Sequence, residues 1–277
     1  MDPIAKVMER LKTQYQQSLQ NGQALNEREY ECPKCKDVGG LIVKKVDEED
    51  CCTKGKEYEV WVDCDCQLQK RANNLLKVSE ITDEFKNKTF SNYEITNRPV
   101  AKAMKDIATK YFQEYSDIKG TEQNSIALLG QPGCGKTHLL TALSNNMMQK
   151  KLESVLYFPY VEGFNDLRND FEKLEAKLIR MKEVEILYID DLFKPASKPD
   201  RDGKRIRVPQ ASEWELKQLF AVINYRQMNN KPIFISSELD FNEMIALDEG
   251  LGTRIYMMCK QYFMTVEKDL SLNYRLA

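Results

Sequence analysis

An α/β fold built on a parallel sheet, with a small metal-stapled module ahead of it, is what the sequence predicts. Three observations carry this. From about residue 84 onward, short apolar β-type runs alternate with helix-like stretches, and strands that alternate with helices pair in parallel and are covered on both faces. The first of these runs ends in a glycine-rich loop that opens a helix, Gly130-Gln131-Pro132-Gly133-Cys134-Gly135-Lys136-Thr137. Six of the eight cysteines fall between residues 30 and 77, in a stretch with too few apolar residues for a core of its own.

The elements follow in order. Ile4, Val7, Met8, Leu11, Tyr15 and Leu19 share one helical face, Asp2 and Pro3 suit its start, and Asn21-Gly22 suits its stop. This helix, within residues 1–30, either packs on its own domain or forms an arm that docks on a partner. In the module at 31–77, Leu41 to Val46 and Tyr58 to Val62 carry strand signals on either side of an acidic loop, Asp47 to Cys52. In the third segment, 78–277, strands are expected at Ser125–Leu129, Ser154–Pro159, Val184–Ile189 and Pro232–Ser236, with a fifth at Gln261–Val266. Helices are expected at 101–116, 136–150, 162–182 and 212–228. Phe193 to Pro209, with six basic residues and three prolines, reads as an extended, mobile loop.

Composition excludes several function classes. The 277 residues carry 41 Lys plus Arg against 43 Asp plus Glu, a net charge of −2, so a polybasic nucleic-acid binder is excluded and any such contact is local. No apolar run approaches the length of a membrane span. The start, MDPIAKVMERLK, has no apolar core, so no signal peptide is expected and the protein reads as cytoplasmic, without a membrane partner. In that compartment the cysteines read as metal ligands or buried thiols, not disulfides.

The glycine-rich loop satisfies G-x-x-x-x-G-K-[ST]. Its glycines let backbone N–H groups curl toward phosphates, and the helix that opens at Lys136 adds the positive end of its dipole. Gly130 through Thr137, with His138 beside them, are therefore the expected ATP-binding residues. Lys136 is expected on the β- and γ-phosphates and Thr137 on Mg²⁺. A second carboxylate site is expected at the end of a neighbouring strand, and Glu185-Ile186-Leu187-Tyr188-Ile189-Asp190-Asp191 supplies it. Two acids ending an apolar run are costly unless they meet a cation. Asp190 is read as the Mg²⁺-side carboxylate and Asp191 as the group that orients or activates the attacking water. Cys32-Pro33-Lys34-Cys35 and Cys64-Asp65-Cys66 place two close pairs on two turns, the pattern that gives four thiolates to one tetrahedral Zn²⁺. Cys51-Cys52 are alternative ligands.

Together with Lys88-Thr89-Phe90-Ser91-Asn92-Tyr93, Ile235-Ser236-Ser237-Glu238-Leu239 and Gly252-Thr253-Arg254-Ile255-Tyr256, these motifs make the chain resemble bacterial and phage helicase loaders of the DnaC/DnaI type. Their AAA+ ATPase half is related to IstB transposition helpers and to DnaA. The resemblance implies a five-stranded parallel sheet of order 5-1-4-3-2. It implies Phe90 and Tyr93 near the adenine, Ser237 as the polar end of the strand that orients the attacking water, and Arg254 as an arginine finger acting in trans on a neighbouring subunit. Arg275 matches a sensor-2-like arginine, although only 23 residues follow Arg254, too few for the helical lid of ordinary AAA+ proteins. Arg226 is a further interface candidate. The partners implied are a replicative helicase of the DnaB-type hexamer and single-stranded DNA, for which the basic loop 194–207 and the helix around Arg168 and Lys173 are candidate contacts. The function implied is ATP-dependent loading of that helicase in replication initiation. An IstB-like helper acting on duplex DNA with a transposase is the alternative, and a zinc adaptor with a degenerate ATPase is a third reading that the intact Lys136, Thr137, Asp190 and Asp191 oppose.

Overall fold

The structure is a computed structural model and describes residues 30–46, 55, 57–199 and 205–276. The expected N-terminal helix and Cys51-Cys52 lie outside the described residues. The chain divides into two compact units at Gln67/Leu68. The helix Asp65–Val78 spans both that position and the 77/78 boundary read from composition.

In the first unit β1 (Gly40–Val46) pairs antiparallel with β2 (Glu57–Asp63), in register from Gly40↔Asp63 to Val46↔Glu57. Ahead of it runs a tight turn in which Lys36 and Asp37 take left-handed backbone (φ 49° and 64°) and the Cys32 N–H donates to Asp37 Oδ1 (2.9 Å). Among the described residues neither face of the ribbon is fully covered: Ile42 and its partner Trp61 are 65% and 53% exposed on one face, and Tyr58 and Val62 are 48% and 40% exposed on the other. The buried side chains of this unit, among the described residues, are Cys32, Cys35 and Cys64. A unit of this size whose described residues form no apolar core needs a staple.

The second unit holds a five-stranded sheet of order β4-β5-β8-β3-β9, comprising β3 (Ile126–Gly130), β4 (Val155–Pro159), β5 (Ile186–Leu192), β8 (Ile233–Ser237) and β9 (Phe263–Val266). All four pairings are parallel, so numbered by sequence within the sheet the order is the expected 5-1-4-3-2. The alternation of side chains builds two cores. Ile126, Leu128, Tyr157, Ile186, Tyr188 and Phe234 face one side, with Met104 and Tyr111 of the helix Pro99–Ile118 and Leu139 and Leu143 of the helix Lys136–Asn146. Ala127, Leu129, Leu156, Phe158, Leu187, Ile189, Ile233 and Ile235 face the other, with residues of the helices Tyr160–Leu167, Phe171–Glu183, Glu213–Met228, Phe241–Leu247 and Glu249–Cys259. After β9 the described chain has only two short 3₁₀ turns, Leu270–Leu272 and Tyr274–Leu276, so a full helical lid is absent among the described residues. No helix among them is long and apolar enough to cross a membrane.

Three expectations are corrected. The helix expected over 162–182 is two helices, because Asp170 caps the second by accepting the Lys173 N–H (3.0 Å). The expected loop 193–209 is instead a two-stranded ribbon, β6 (Ala196–Pro199) antiparallel to β7 (Arg205–Val208). Its prolines flank or end the strands, where no ladder hydrogen bond is lost. Arg226 is no interface residue: it is fully buried and donates to the carbonyls of Met181, Lys182, Val184, Glu185 and Pro232 at 2.7–3.2 Å.

Candidate nucleotide site

The C-terminal ends of β3, β5 and β8 frame a cleft of about 570 Å³, the place where open parallel sheets bind ligands. The glycine-rich loop forms its floor. Gly133 and Gly135 sit at φ 73° and 95°, and side chains there would strike Asn273 and the Tyr93 ring, so only glycine fits. Pro132, Gly133, Gly135, Lys136, Thr137 and His138 line the cleft. Lys136 is buried, with Nζ donating to the carbonyls of Gly130 (2.9 Å) and Gln131 (2.7 Å), and burial lowers its pKa. The Gln131 and Cys134 side chains point elsewhere. Gln131 Oε1 accepts the Asp269 N–H (3.1 Å), and Cys134 Sγ donates to the Gln131 carbonyl (3.0 Å), its thiol pushed up by burial.

Asp190 is the buried carboxylate of the site. Its Oδ1 accepts from Thr137 Oγ1 (2.9 Å), from Tyr188 OH (2.9 Å) and from Ser236 Oγ, and its Oδ2 accepts from Tyr157 OH (3.1 Å). Burial raises its pKa, and the hydroxyls oppose that. Among the described residues four neutral donors and no side-chain cation meet the carboxylate, and Thr137 joins it to the phosphate loop. This donor set, one hydroxyl and one carboxylate beside a phosphate cradle, fits Mg²⁺. Asp191, at φ 54° beside an irregularity in the β5–β8 pairing, turns its carboxylate into the cleft, where Oδ2 accepts from Lys194 Nζ (2.6 Å).

The two serines of β8 separate by parity. Ser236 shares the face of Phe234 and Tyr188, touches Asp190 and accepts the Asp191 N–H (2.9 Å). Ser237, the residue expected in that role, lies on the opposite face. It donates to the Leu192 carbonyl (2.6 Å) and accepts the Leu239 N–H (3.0 Å). Ser236 is therefore the serine that meets both aspartates, at the Asp190 carboxylate and the Asp191 backbone N–H. Of the aromatic pair, Tyr93 lines the cleft, donating to the Cys134 carbonyl (3.1 Å). Phe90 does not line the cleft; it is half-buried and packs against the core on that side of the sheet. His138 Nε2 donates to the Thr89 carbonyl (3.2 Å), tying the loop's helix to this segment. Arg275 lines the cleft beside Tyr274, whose N–H donates to the Gly133 carbonyl (2.9 Å) and whose ring lies under Arg98 (3.9 Å). Arg254 does not line it. Sequence reasoning missed Tyr157, Tyr188, Ser236, Lys194 as a partner of Asp191, and Glu238. Parity along β5 and β8 is the signal that finds Tyr188 and Ser236.

In the first unit the four expected cysteines converge. The sulfurs of Cys32, Cys35, Cys64 and Cys66 lie within 4.8 Å of one another, with Cys32–Cys64 at 3.7 Å and Cys35–Cys66 at 3.4 Å. A tetrahedron of Zn–S bonds near 2.3 Å has edges of roughly 3.8 Å, so the group fits Zn²⁺. The Gly39 N–H points at Cys35 Sγ (3.4 Å). Burial raises the Cys35 thiol, but this N–H and the neighbouring thiols outweigh it and bring it to about 7, whereas Cys66, hydrogen-bonded to Cys35, is pushed up to about 12. Freshly purified, reduced protein is expected to carry about one equivalent of zinc by mass spectrometry; less than about half an equivalent overturns the assignment.

The family profile of the bacterial DnaA ATPase domain matches residues 87–260. The chain is 45% identical to the phage-like element PBSX protein XkdC of Bacillus subtilis over 89% of this chain and 86% of that one. It is 24% identical to the replicative helicase loader DnaI of Bacillus subtilis over 81% of this chain and 58% of that one. A crystal structure of the DnaC helicase loader superposes with a TM-score of 0.52 at 17% identity, covering 68% of this chain and all of that one, and shares the fold.

Proposed function

The chain belongs to the bacterial DnaA ATPase-domain family of AAA+ proteins, and on that premise we propose that it is a cytoplasmic ATP-dependent loader of a replicative helicase of the DnaB-type hexamer. It would act on single-stranded DNA, and ATP hydrolysis would switch its assembly state. The observation that carries this reading is the union in one chain of a built nucleotide cleft with a four-cysteine module, in a sequence similar over most of its length to a replicative helicase loader. In this reading Lys136 holds the β- and γ-phosphates, Thr137 and Asp190 hold Mg²⁺, and Tyr93 walls the base side with Arg275 at the rim. Bound Mg²⁺ would supply charge neutralisation at the phosphates. Asp191 orients the attacking water, and Ser236 fixes both aspartates. Arg254 acts on the cleft of a second copy. Residues 1–30 and the zinc module, 31–77, form the helicase-docking end, and residues 78–277 the ATPase.

Size-exclusion chromatography with light scattering tests this. With the replicative helicase of its host or phage, the chain is expected to co-elute as a stable complex in one nucleotide state, and deleting residues 1–77 to remove the complex. No association with an active helicase, with ATP or without, would sink the loader reading.

A further inference from the structure

The chain that follows β9 is tied down on two sides of the nucleotide cleft. The Asp269 N–H donates to Gln131 Oε1 (3.1 Å) and the Tyr274 N–H to the Gly133 carbonyl (2.9 Å), so two hydrogen bonds hold this tail on the phosphate loop. Asn273 sits where a side chain on Gly133 would have to go. On the other side, Tyr274 OH donates to the Glu94 carbonyl (2.6 Å), and the Arg98 guanidinium lies over the Tyr274 ring, 3.9 Å from its centroid. Leu272 and Tyr274 also pack against the core on that side of the sheet. Chain ends fray unless they are tied down, and this segment is tied to the loop, to the stretch before the helix Pro99–Ile118 and to the core.

Among the rings that line the cleft, Tyr274 is the one placed to meet a planar group. The others are Phe85, Tyr93 and His138. Phe85 packs edge-on against Tyr157 (5.8 Å), whose hydroxyl holds Asp190, so it belongs to the carboxylate end. Tyr93 is only 4% exposed, and His138 packs edge-on against it at 5.2 Å with Nε2 turned to Thr89. Tyr274 is half-buried. Its ring meets that of Tyr93 at 47° with centroids 6.1 Å apart. That is a corner and not a slot, because a base held between two rings needs about 7 Å. A base entering the cleft therefore meets Tyr274 on the face turned away from Arg98.

We propose that Tyr274 is the residue on which the adenine ring stacks, and that the tail closes the base side of the cleft in a chain whose described residues hold no full helical lid. This rests on the ATP-binding reading above. Arg98 and the Glu94 carbonyl hold the ring in place before the nucleotide arrives, so stacking costs little side-chain freedom. The backbone of the same residue bonds Gly133, so the base and the phosphate loop share one anchor. The stacking contact lies at the far end of the nucleotide from the γ-phosphate and is equally strong before and during bond breaking. It therefore contributes to binding and not to turnover.

The test is calorimetric titration of the full chain, in Mg²⁺, with ADP and with inorganic tripolyphosphate, which has no base, alongside steady-state ATP hydrolysis. Y274A is expected to bind ADP about tenfold more weakly and to keep its affinity for tripolyphosphate within about twofold. Its KM for ATP is expected to rise about tenfold with kcat within about twofold. Y274F keeps the ring under Arg98 and loses only the bond to Glu94, and is expected to bind ADP within about threefold of wild type. Unchanged ADP affinity in Y274A overturns the proposal. So does tighter binding, which would mean that the tyrosine occupies the base's place and must leave it. Equal losses for ADP and tripolyphosphate would mean that the tail acts through the phosphate loop, and a Y274F as weak as Y274A that the hydroxyl matters and not the ring; either overturns the stacking role. A wild type that binds neither ADP nor tripolyphosphate overturns the nucleotide reading itself.

Discussion

Arg254→Ala is expected to lower ATP turnover by about a thousandfold or more while leaving ATP affinity within about threefold. The reason lies in where the residue sits. Arg254 projects from the helix Glu249–Cys259, is half-buried, and lies outside the cleft of its own chain. Its Nη1 donates to the Gly250 carbonyl (2.7 Å), its Nε to Asn224 Oδ1 (3.2 Å), and its guanidinium stacks over the Phe220 ring at 4.7 Å. Three partners orient the fork without neutralising it, since none is an acid. An oriented, uncompensated guanidinium is what stabilises charge developing on a transferring phosphoryl group. Lys136→Ala removes a different part, the cation proposed to meet the phosphates in the cleft itself. In an equal mixture of the two inactive variants, about a quarter of head-to-tail contacts join an intact cleft to an intact finger. Turnover is therefore expected to reappear on mixing. No recovery at any ratio would remove Arg254 from the catalytic machinery and leave it as a brace between two helices.

What the sequence disclosed and what it hid divide along a physical line. Gly130–Thr137 was legible because the backbone must curl at fixed positions, and residue type records that directly. The sheet order, implied by the resemblance, is the order observed. The cysteine quartet was legible because two close pairs leave few ways to meet. Ser236 and Ser237 are adjacent and chemically identical, so type cannot choose between them; only the register Tyr188↔Phe234 sets which one faces Asp190. Tyr157 and Tyr188 read as strand formers, and their hydroxyl bonds to Asp190 appear only once β4 lies beside β5. The Asp191–Lys194 pair was hidden by two left-handed residues, Asp191 and Phe193, neither of them glycine. Such strained positions gather at functional sites, where the surroundings enforce them.

Arg226 makes the opposite point, because a residue that reads as a surface cation is a buried brace of the second unit. Its side chain reaches the C-terminal end of the helix Phe171–Glu183, taking the carbonyls of Met181, Lys182 and Val184, and joins them to Glu185 at the start of β5 and Pro232 at the start of β8. A cation there also complements the helix dipole. Burial pushes its pKa down to about 9, so it remains charged at neutral pH. Arg226→Ala strands these carbonyls and opens a cavity, and is expected to cost about 3–5 kcal/mol of stability. Arg226→Lys keeps the charge but has three donors in place of a planar fork, and is expected to cost about 2 kcal/mol. Urea unfolding of the full chain, followed by tryptophan emission, reads this. Trp214 packs against the core of the second unit while Trp61 is largely exposed in the first, so the emission change reports the ATPase unit. The midpoint for Arg226→Ala should fall by about 1–2 M. A shift below about 0.3 M would mean that water replaces the guanidinium at all five carbonyls without loss.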